Sequence, residues 1–138
     1  MNELAARIGA LISEPSLVAF ATAGKDGRPW VRYVMASGSP DLHIRFATFL
    51  NSRKVAQVRR NPEVHLAWRI GDAGCLQIQG HAHFTVDPAE RAAFWHDGLG
   101  HYFKGPDDPN YAIMIVKPYR IELLDDEAFQ PEVWEAHR

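Results

Sequence analysis

The chain has 138 residues and a mass of 15.6 kDa, which suits one domain with a single hydrophobic core. Hydrophobic residues make up 46% of it and charged residues 23%, which is a globular composition, and the net charge of −2 lacks the positive excess typical of nucleic-acid-binding domains. The single cysteine excludes an intrachain disulfide and a multi-cysteine zinc site. Because no apolar run reaches the ~20 residues of a membrane span and no basic signal-peptide region precedes the first apolar stretch, we expect a cytoplasmic protein with no membrane or nucleic-acid partner.

The first sixty residues predict a helix, three strands and a second helix. Apolar residues at helical spacing predict an N-terminal helix within residues 1–14. Strand patterns follow, bounded by turns rich in glycine, proline or aspartate, over residues 16–23, 30–37 and 42–49. A short helix over residues 52–60 then begins at Ser52, a good N-cap residue, and ends before Asn61-Pro62.

The second half continues the pattern of short strands joined by tight connections. Strands are predicted over residues 63–70, 75–86 and 111–116. Pro118, which cannot donate to a sheet ladder, then marks an edge, bulge or bend before residues 119–124. Asp87 starts a helix whose apolar stripe comprises Ala92, Trp95, Leu99 and Tyr102. Six strands joined mostly by hairpins predict one mainly β domain over residues 1–138, an antiparallel barrel with a few helices and a C-terminal tail at 126–138.

The junction between the third strand and the second helix carries residues that indicate a binding site. A helix N-terminus presents unpaired N–H groups and the positive end of the helix dipole, which favour an anion. Ser52, Arg53 and Lys54 stand at this point, although cations are disfavoured there unless an anion is bound. The alternative is a serine N-cap followed by two solvated basic residues. Arg32, among apolar residues on a neighbouring strand, also favours an anionic partner, and its alternative is a snorkelled or salt-bridged arginine. The four residues together predict a phosphate site.

Two histidines and the cysteine on the fifth predicted strand are weaker candidates. His81 and His83 lie two residues apart, so they point to one face of the strand and could share a metal ion. Cys75 lies roughly 20 Å from them along the strand and cannot join such a site. Because no carboxylate lies near them in the sequence, we favour two polar-face histidines, a cysteine packed as a small apolar residue, and no metal.

Three blocks of the sequence carry a resemblance to a known family. The blocks are WVRYVMA, DLHIRFATFLNSRKVAQVRRNPEVHLAW and CLQIQGHAHF. Their order and spacing resemble the flavin-binding split-barrel family of pyridoxamine 5′-phosphate oxidase, and the later segment FWHDGLGHYFKGPDDPN is most similar to the general stress protein branch. The resemblance implies a six-stranded antiparallel split β-barrel that binds FMN and forms a homodimer with FMN sites at its interface.

The resemblance also implies which residues contact the flavin. The FMN phosphate would be held by Arg32, Ser52, Arg53 and Lys54. The edge of the isoalloxazine ring would meet backbone groups of Tyr33, Val34 and Met35. Thr48 would contact the flavin near its ribityl chain, and no residue takes a catalytic role. The family's oxidases carry a lysine where this chain has Ser37 and a glutamine where it has Cys75.

We expect a flavin-dependent oxidoreductase of unassigned substrate, in which FMN supplies the chemistry and NADH or NADPH is the candidate electron donor. The alternatives are a non-catalytic flavin-binding stress protein and the same barrel holding a deazaflavin or haem. Pyridoxamine 5′-phosphate oxidase activity itself is not expected. Ser37 removes one cation, and the tail offers only Trp134, His137 and Arg138 where the oxidases have a second cationic cluster for their phosphorylated substrate.

Overall fold

The computed structural model describes residues 2–125 and 130–137, and this part of the chain is built mainly from β-strands. Its α-helices are Glu3–Ile12 (α1), Arg53–Arg60 (α2) and Pro88–Phe94 (α3), and a 3₁₀ helix lies at Asp97–His101. Its strands are Ser16–Ala23 (β1), Pro29–Gly38 (β2), Ile44–Phe49 (β3), Glu63–Ile70 (β4), Gly74–Thr85 (β5), Tyr111–Leu124 (β6) and Glu132–Glu135 (β7). The predicted fold class is confirmed.

The first six strands close into the predicted antiparallel barrel. β1 lies between β2 and β4, β5 joins β4 to β6, and β3 pairs with both β2 and β6. The β3–β6 pairing runs over all of β3, so it joins the two ends of the sheet. Closure of this kind removes exposed strand edges, which would otherwise template aggregation.

Alternate side chains of the strands fill the barrel interior. Phe20 and Phe46 are fully buried there and meet edge to face, with ring centroids 4.9 Å apart. α1 packs the buried side chains of Ile8 and Ile12 onto the barrel, and a Cβ atom at Gly38 would overlap Ile12. Because the interior is occupied by protein, a planar cofactor has to bind outside the barrel.

Part of the C-terminal tail predicted at 126–138 forms a strand. Residues 126–129 and 138 lie outside the described residues, as does Met1 in the predicted helix 1–14. Glu132–Glu135 forms β7, which adds to the outer side of β6 opposite Arg120–Leu123. The short β7 segment lacks the length and turn signals that would have marked it as a strand in the sequence.

Two other element boundaries differ from the predictions. β3 begins at Ile44 instead of residue 42, because Leu42 has a φ of 71° that a strand cannot contain. β6 is one strand through Pro118, and the predicted irregularity is present as a register shift between Gln79 and Gly80 on β5. The bulge lets the sheet accommodate a residue without an N–H donor.

The helix that begins after Asp87 is shorter than the apolar stripe predicts. α3 ends at Phe94, Trp95 is extended with ψ 137°, and a 3₁₀ helix follows. Gly98 and Gly100 favour this break, since glycine is a poor residue for a helix interior. The segment from Phe94 to Phe103 packs on the outside of the barrel, where Leu99 and Phe103 form a second apolar cluster with Tyr111, Ile113 and Ile115.

Candidate functional site

The N-terminus of α2 lies beside β2 because of the connection that precedes it. β3 is the neighbour of β2 in the sheet, and four residues after β3 ends at Phe49 the chain enters α2. α2 packs Val55 and Val58 against the barrel, in contact with β1 and β5. This packing fixes the first turn of α2 at the rim of the barrel.

The first turn of α2 lacks the side-chain cap that the other two α-helices of the described chain possess. Asn2 caps α1 by accepting from the Ala5 N–H at 2.7 Å, and Asp87 caps α3 by accepting from the Glu90 N–H at 3.1 Å. Ser52 occupies the predicted N-cap position of α2, but it makes no cap hydrogen bond. Its hydroxyl instead lies 3.3 Å from the Thr48 hydroxyl. The N–H groups at this helix end are therefore available to a ligand.

Three cations gather at this helix end, and no carboxylate of residues 2–125 or 130–137 forms an ion pair with any of them. Burial lowers the pKa of Lys54, and repulsion from Arg32 lowers it further. Burial likewise lowers the pKa of Arg32, with a smaller contribution from Arg53. α2 also has no acidic residue in its first turn. Partly buried positive charge without a negative partner is the environment that binds an anion.

Arg53 and Arg32 are each held by neutral neighbours. The Arg53 guanidinium stacks on the Trp30 ring, 4.3 Å from its centroid. Arg32 donates to the Thr22 hydroxyl at 2.8 Å and to the Gln57 side-chain oxygen at 2.9 Å. Thr22 and Gln57 are missing from the sequence-predicted site, because a threonine on a strand and a glutamine on a helix carry no signal of their own.

An apolar cleft of about 710 Å³ opens beside the cations. One wall comes from the barrel and the first turn of α2, and it includes five of the predicted site residues, Tyr33, Val34, Met35, Thr48 and Lys54. The other predicted residues, Arg32, Ser52 and Arg53, do not line the cleft itself. They adjoin it at the cationic end, since Ser52 contacts Thr48 and the charge of Arg32 acts on Lys54.

The opposite wall of the cleft was not predicted as part of the site. It is formed by the end of α3 and the segment that follows it, and it includes Phe94, His96, Leu99, Tyr102 and Phe103. Its aromatic side chains looked like one face of a longer helix in the sequence. The only feature of the sequence that could have indicated this wall is the run of aromatic residues interrupted by glycines at 98 and 100.

The backbone of β2 is exposed along the cleft because β2 and β3 separate there. β2 pairs with β1 along all of β1, but it pairs with β3 only at Ser37 and Gly38. The stretch Tyr33–Met35 therefore has one edge without a strand partner in the described part of the chain. Backbone N–H and C=O groups on such an edge can bind the polar rim of a ring.

The other sequence candidates lie elsewhere. Cys75 is half-buried on β5, opposite Arg69 and Leu124, and it does not line the cleft. His81 Nε2 lies 3.2 Å from Oε1 of Glu63, a carboxylate that β4 supplies and the sequence spacing did not indicate. His83 is exposed on the same strand. In the described residues no three histidine, cysteine or acidic side chains gather as a metal site.

The fold is that of a split-barrel protein, and three cations lie at one end of an external cleft. Residues 4–125 match the family model for pyridoxamine 5′-phosphate oxidase, and the chain belongs to that family, as its sequence predicts. It is 30% identical over 104 residues to general stress protein 26 of Bacillus subtilis, an alignment that covers 72% of this chain and 73% of that protein. Among the helices of the described residues, none is long and apolar enough to span a membrane.

Solved structures share the fold at lower identity. General stress protein 26 from Bacillus anthracis str. Sterne superposes with a TM-score of 0.84 at 24% identity, covering 98% of this chain and 100% of that one. A pyridoxamine 5′-phosphate oxidase-related, FMN binding protein from Nostoc punctiforme superposes with a TM-score of 0.73 at 18% identity, covering 98% and 87% of the two chains. These similarities confirm the split-barrel fold.

We predict that Lys54→Met stabilises the ligand-free protein. Burial and repulsion from Arg32 oppose the charged lysine in the folded state, whereas methionine fills similar space without charge. Thermal unfolding at pH 7 in a buffer of weakly binding anions should give a higher Tm for the variant. Since the pKa of Lys54 is lower in the folded chain than in the unfolded one, the difference should shrink as the pH rises toward the unfolded value of about 10.4.

The control is Lys25→Met, which removes an exposed lysine in the turn between β1 and β2 and should leave Tm unchanged. Inorganic phosphate should raise the Tm of wild type more than that of Lys54→Met, because it neutralises the cluster. A lower Tm for Lys54→Met in the phosphate-free buffer would mean that a partner stabilises charged Lys54 in the ligand-free protein. This result would contradict an anion site that is unfavourable when empty.

Proposed function

We propose that the protein binds FMN in the external cleft and uses it as a flavin-dependent oxidoreductase. The observation that carries the proposal is a cluster of three cations, of which Arg32 and Lys54 are partly buried, at an uncapped helix N-terminus beside an apolar cleft. A dianionic phosphate supplies the missing negative charge and accepts from the free N–H groups. An apolar cleft with an exposed strand edge suits a flat heteroaromatic ring whose rim is polar.

In this proposal each predicted site residue would have a role in binding FMN. Arg32 and Lys54 would bind the phosphate with Ser52 and the α2 N–H groups, while Arg53 adds charge from its position on Trp30. The open edge of β2 at Tyr33–Met35 would hydrogen-bond the ring. Thr48 lies between the two regions, where the ribityl chain would pass.

The chain's own residues bind and orient the cofactor, and bound FMN would supply the electron transfer. The aromatic wall from Phe94 to Phe103 lies opposite β2 and would exclude water from one side of the ring. Ser37 lines the cleft at the position where the family's oxidases carry a lysine, so this part of the cleft lacks that charge. The phosphate of pyridoxamine 5′-phosphate would have no cation at this position to offset its desolvation, so this compound is a poor substrate in the proposal.

We predict that the cleft discriminates FMN from riboflavin. A charge-assisted contact to phosphate contributes about 1.5–3 kcal/mol, so wild type should bind FMN at least about tenfold more tightly than riboflavin. Lys54→Met should lose most of that preference while its riboflavin affinity stays the same. Titration followed by flavin fluorescence measures both affinities, with Lys25→Met as the control that keeps the wild-type preference. Equal affinities of wild type for FMN and riboflavin would contradict the phosphate site.

The choice between an oxidoreductase and a flavin-binding stress protein requires a redox assay. Anaerobic addition of NADH or NADPH to the FMN-loaded protein should bleach the oxidised flavin spectrum, and air should restore it. A stable oxidised spectrum with both donors would favour a non-catalytic flavin-binding protein. A chromophore other than FMN in the protein as purified would favour a deazaflavin or haem.

We also infer a homodimer formed through the outer face of β1 and β2. Leu17, Val31, Tyr33 and Met35 are 61%, 69%, 72% and 56% exposed, and they form one apolar surface across the two strands. Contiguous exposed apolar surface of this kind marks an interaction site. Leu17, Tyr33 and Met35 also line the cleft, so a second copy seated on this face would complete the flavin site.

We predict that light scattering gives twice 15.6 kDa for wild type. Val31→Asp places a charge on the apolar face, so this variant should be monomeric and should bind FMN more weakly. Val133→Asp is the matched control, because Val133 is 41% exposed on β7 and lies away from this face. A Val31→Asp monomer that keeps the wild-type FMN affinity would contradict a site shared between two copies.

A further inference from the structure

A closed ring of hydrogen bonds fixes the Arg32 guanidinium at the end of the cleft. The Thr22 hydroxyl donates to the Gln57 side-chain oxygen, and Arg32 donates to both of them through Nη1 and Nη2 at 2.8 and 2.9 Å. Nη1 also lies 3.4 Å from the Phe20 carbonyl oxygen. Thr22 and Gln57 are 3% and 5% exposed, so these contacts are shielded from water. The ring joins α2 to β1 and β2.

The acceptors in this ring satisfy Arg32 without cancelling its charge. A guanidinium has five N–H groups, and three of them have acceptors in the described residues, so two remain for a ligand. Elsewhere in the described chain, Arg7, Arg45 and Arg120 form ion pairs with glutamates. Arg32 instead donates to two neutral acceptors, the Thr22 hydroxyl and the Gln57 amide oxygen. The positive charge therefore remains available to an anion.

The position of Gln57 on α2 links it to the other phosphate contact. Lys54 and Gln57 are three residues apart, so they lie on the same face of the helix. This face of α2 therefore carries the cation Lys54, and its Gln57 accepts a hydrogen bond from the second cation, Arg32. The Gln57 amide has a defined orientation, because an arginine only donates and its partner must be the oxygen.

We propose that Gln57, assisted by Thr22, determines the preference of the cleft for a phosphorylated ligand. Both residues position the Arg32 guanidinium and preserve its charge, although neither touches the ligand. This inference rests on the proposed function, since it concerns the specificity of that same site. A glutamate at position 57 would form an ion pair with Arg32, neutralise it and repel the phosphate.

A purely structural role for Gln57 leads to a different expectation. Gln57→Glu keeps an acceptor oxygen for Arg32, so the hydrogen bond that joins α2 to β2 would be retained or become stronger. Flavin preference would then stay as in wild type. The ratio of FMN to riboflavin affinity therefore separates a specificity role from a structural one, because riboflavin lacks the phosphate and is otherwise the same ligand.

The test measures the affinities of wild type and Gln57→Glu for FMN and riboflavin by calorimetry. FMN affinity should fall at least about tenfold, as for the loss of one charge-assisted contact, and riboflavin affinity should be unchanged. Gln79→Glu is the matched control. It makes the same change of charge on β5, opposite Arg120 and outside the cleft, and it should keep the wild-type preference.

A second pair of variants covers the case in which Gln57→Glu does not fold. Thr22→Val removes one of the two acceptors of Arg32 Nη1 and should reduce the FMN preference, whereas Thr22→Ser retains a hydroxyl and should keep the preference. If wild type prefers FMN and both Gln57→Glu and Thr22→Val keep that preference, the inference is overturned while the proposed function stands. If wild type has no preference for FMN, the proposed function fails first, and the inference with it.

Discussion

The unfavourable gathering of Arg32, Arg53 and Lys54 at one helix N-terminus is the constraint on which the rest of the site depends. Burial, and after it repulsion between the cations, lowers the pKa values of Arg32 and Lys54. The positive end of the α2 dipole also disfavours positive charge at this point. No glutamate or aspartate of the described residues relieves the cluster. In the proposed function a polyanionic ligand would offset each of these unfavourable terms, and the stability that the free protein lacks would contribute to affinity for phosphate.

The barrel positions this charge by two features of its topology. Closure through β3 and β6 fixes β3, and hence the start of α2, against the rest of the sheet. The separation of β2 from β3 beyond Ser37 then leaves a free strand edge next to the cations. The second apolar cluster, around Leu99 and Phe103, holds the opposite wall in place. The barrel core thus stays filled with protein, and the cleft forms outside it.

Much of the fold and half of the site could be predicted from the sequence, for physical reasons that differ between residues. Alternating strands and tight turns are local patterns, so the sequence predicts the six barrel strands. Ser52-Arg53-Lys54 is recognisable because positive charges are unfavourable at the N-terminus of the helix that they begin. The break after Phe94 was missed, since the aromatic residues fit a helix stripe and only tertiary packing against Tyr111 decides their conformation. Thr22 and Gln57 lie 35 residues apart, and only the folded chain brings them together.

The most direct measurement is a crystal structure of the protein grown with FMN. The phosphate should lie within hydrogen-bond distance of Arg32, Lys54 and the first N–H groups of α2, with the Thr22–Gln57–Arg32 ring intact and the flavin ring along the open edge of β2. A flavin bound elsewhere, or one whose phosphate points to solvent away from α2, would contradict the central claim that this helix terminus is the phosphate site.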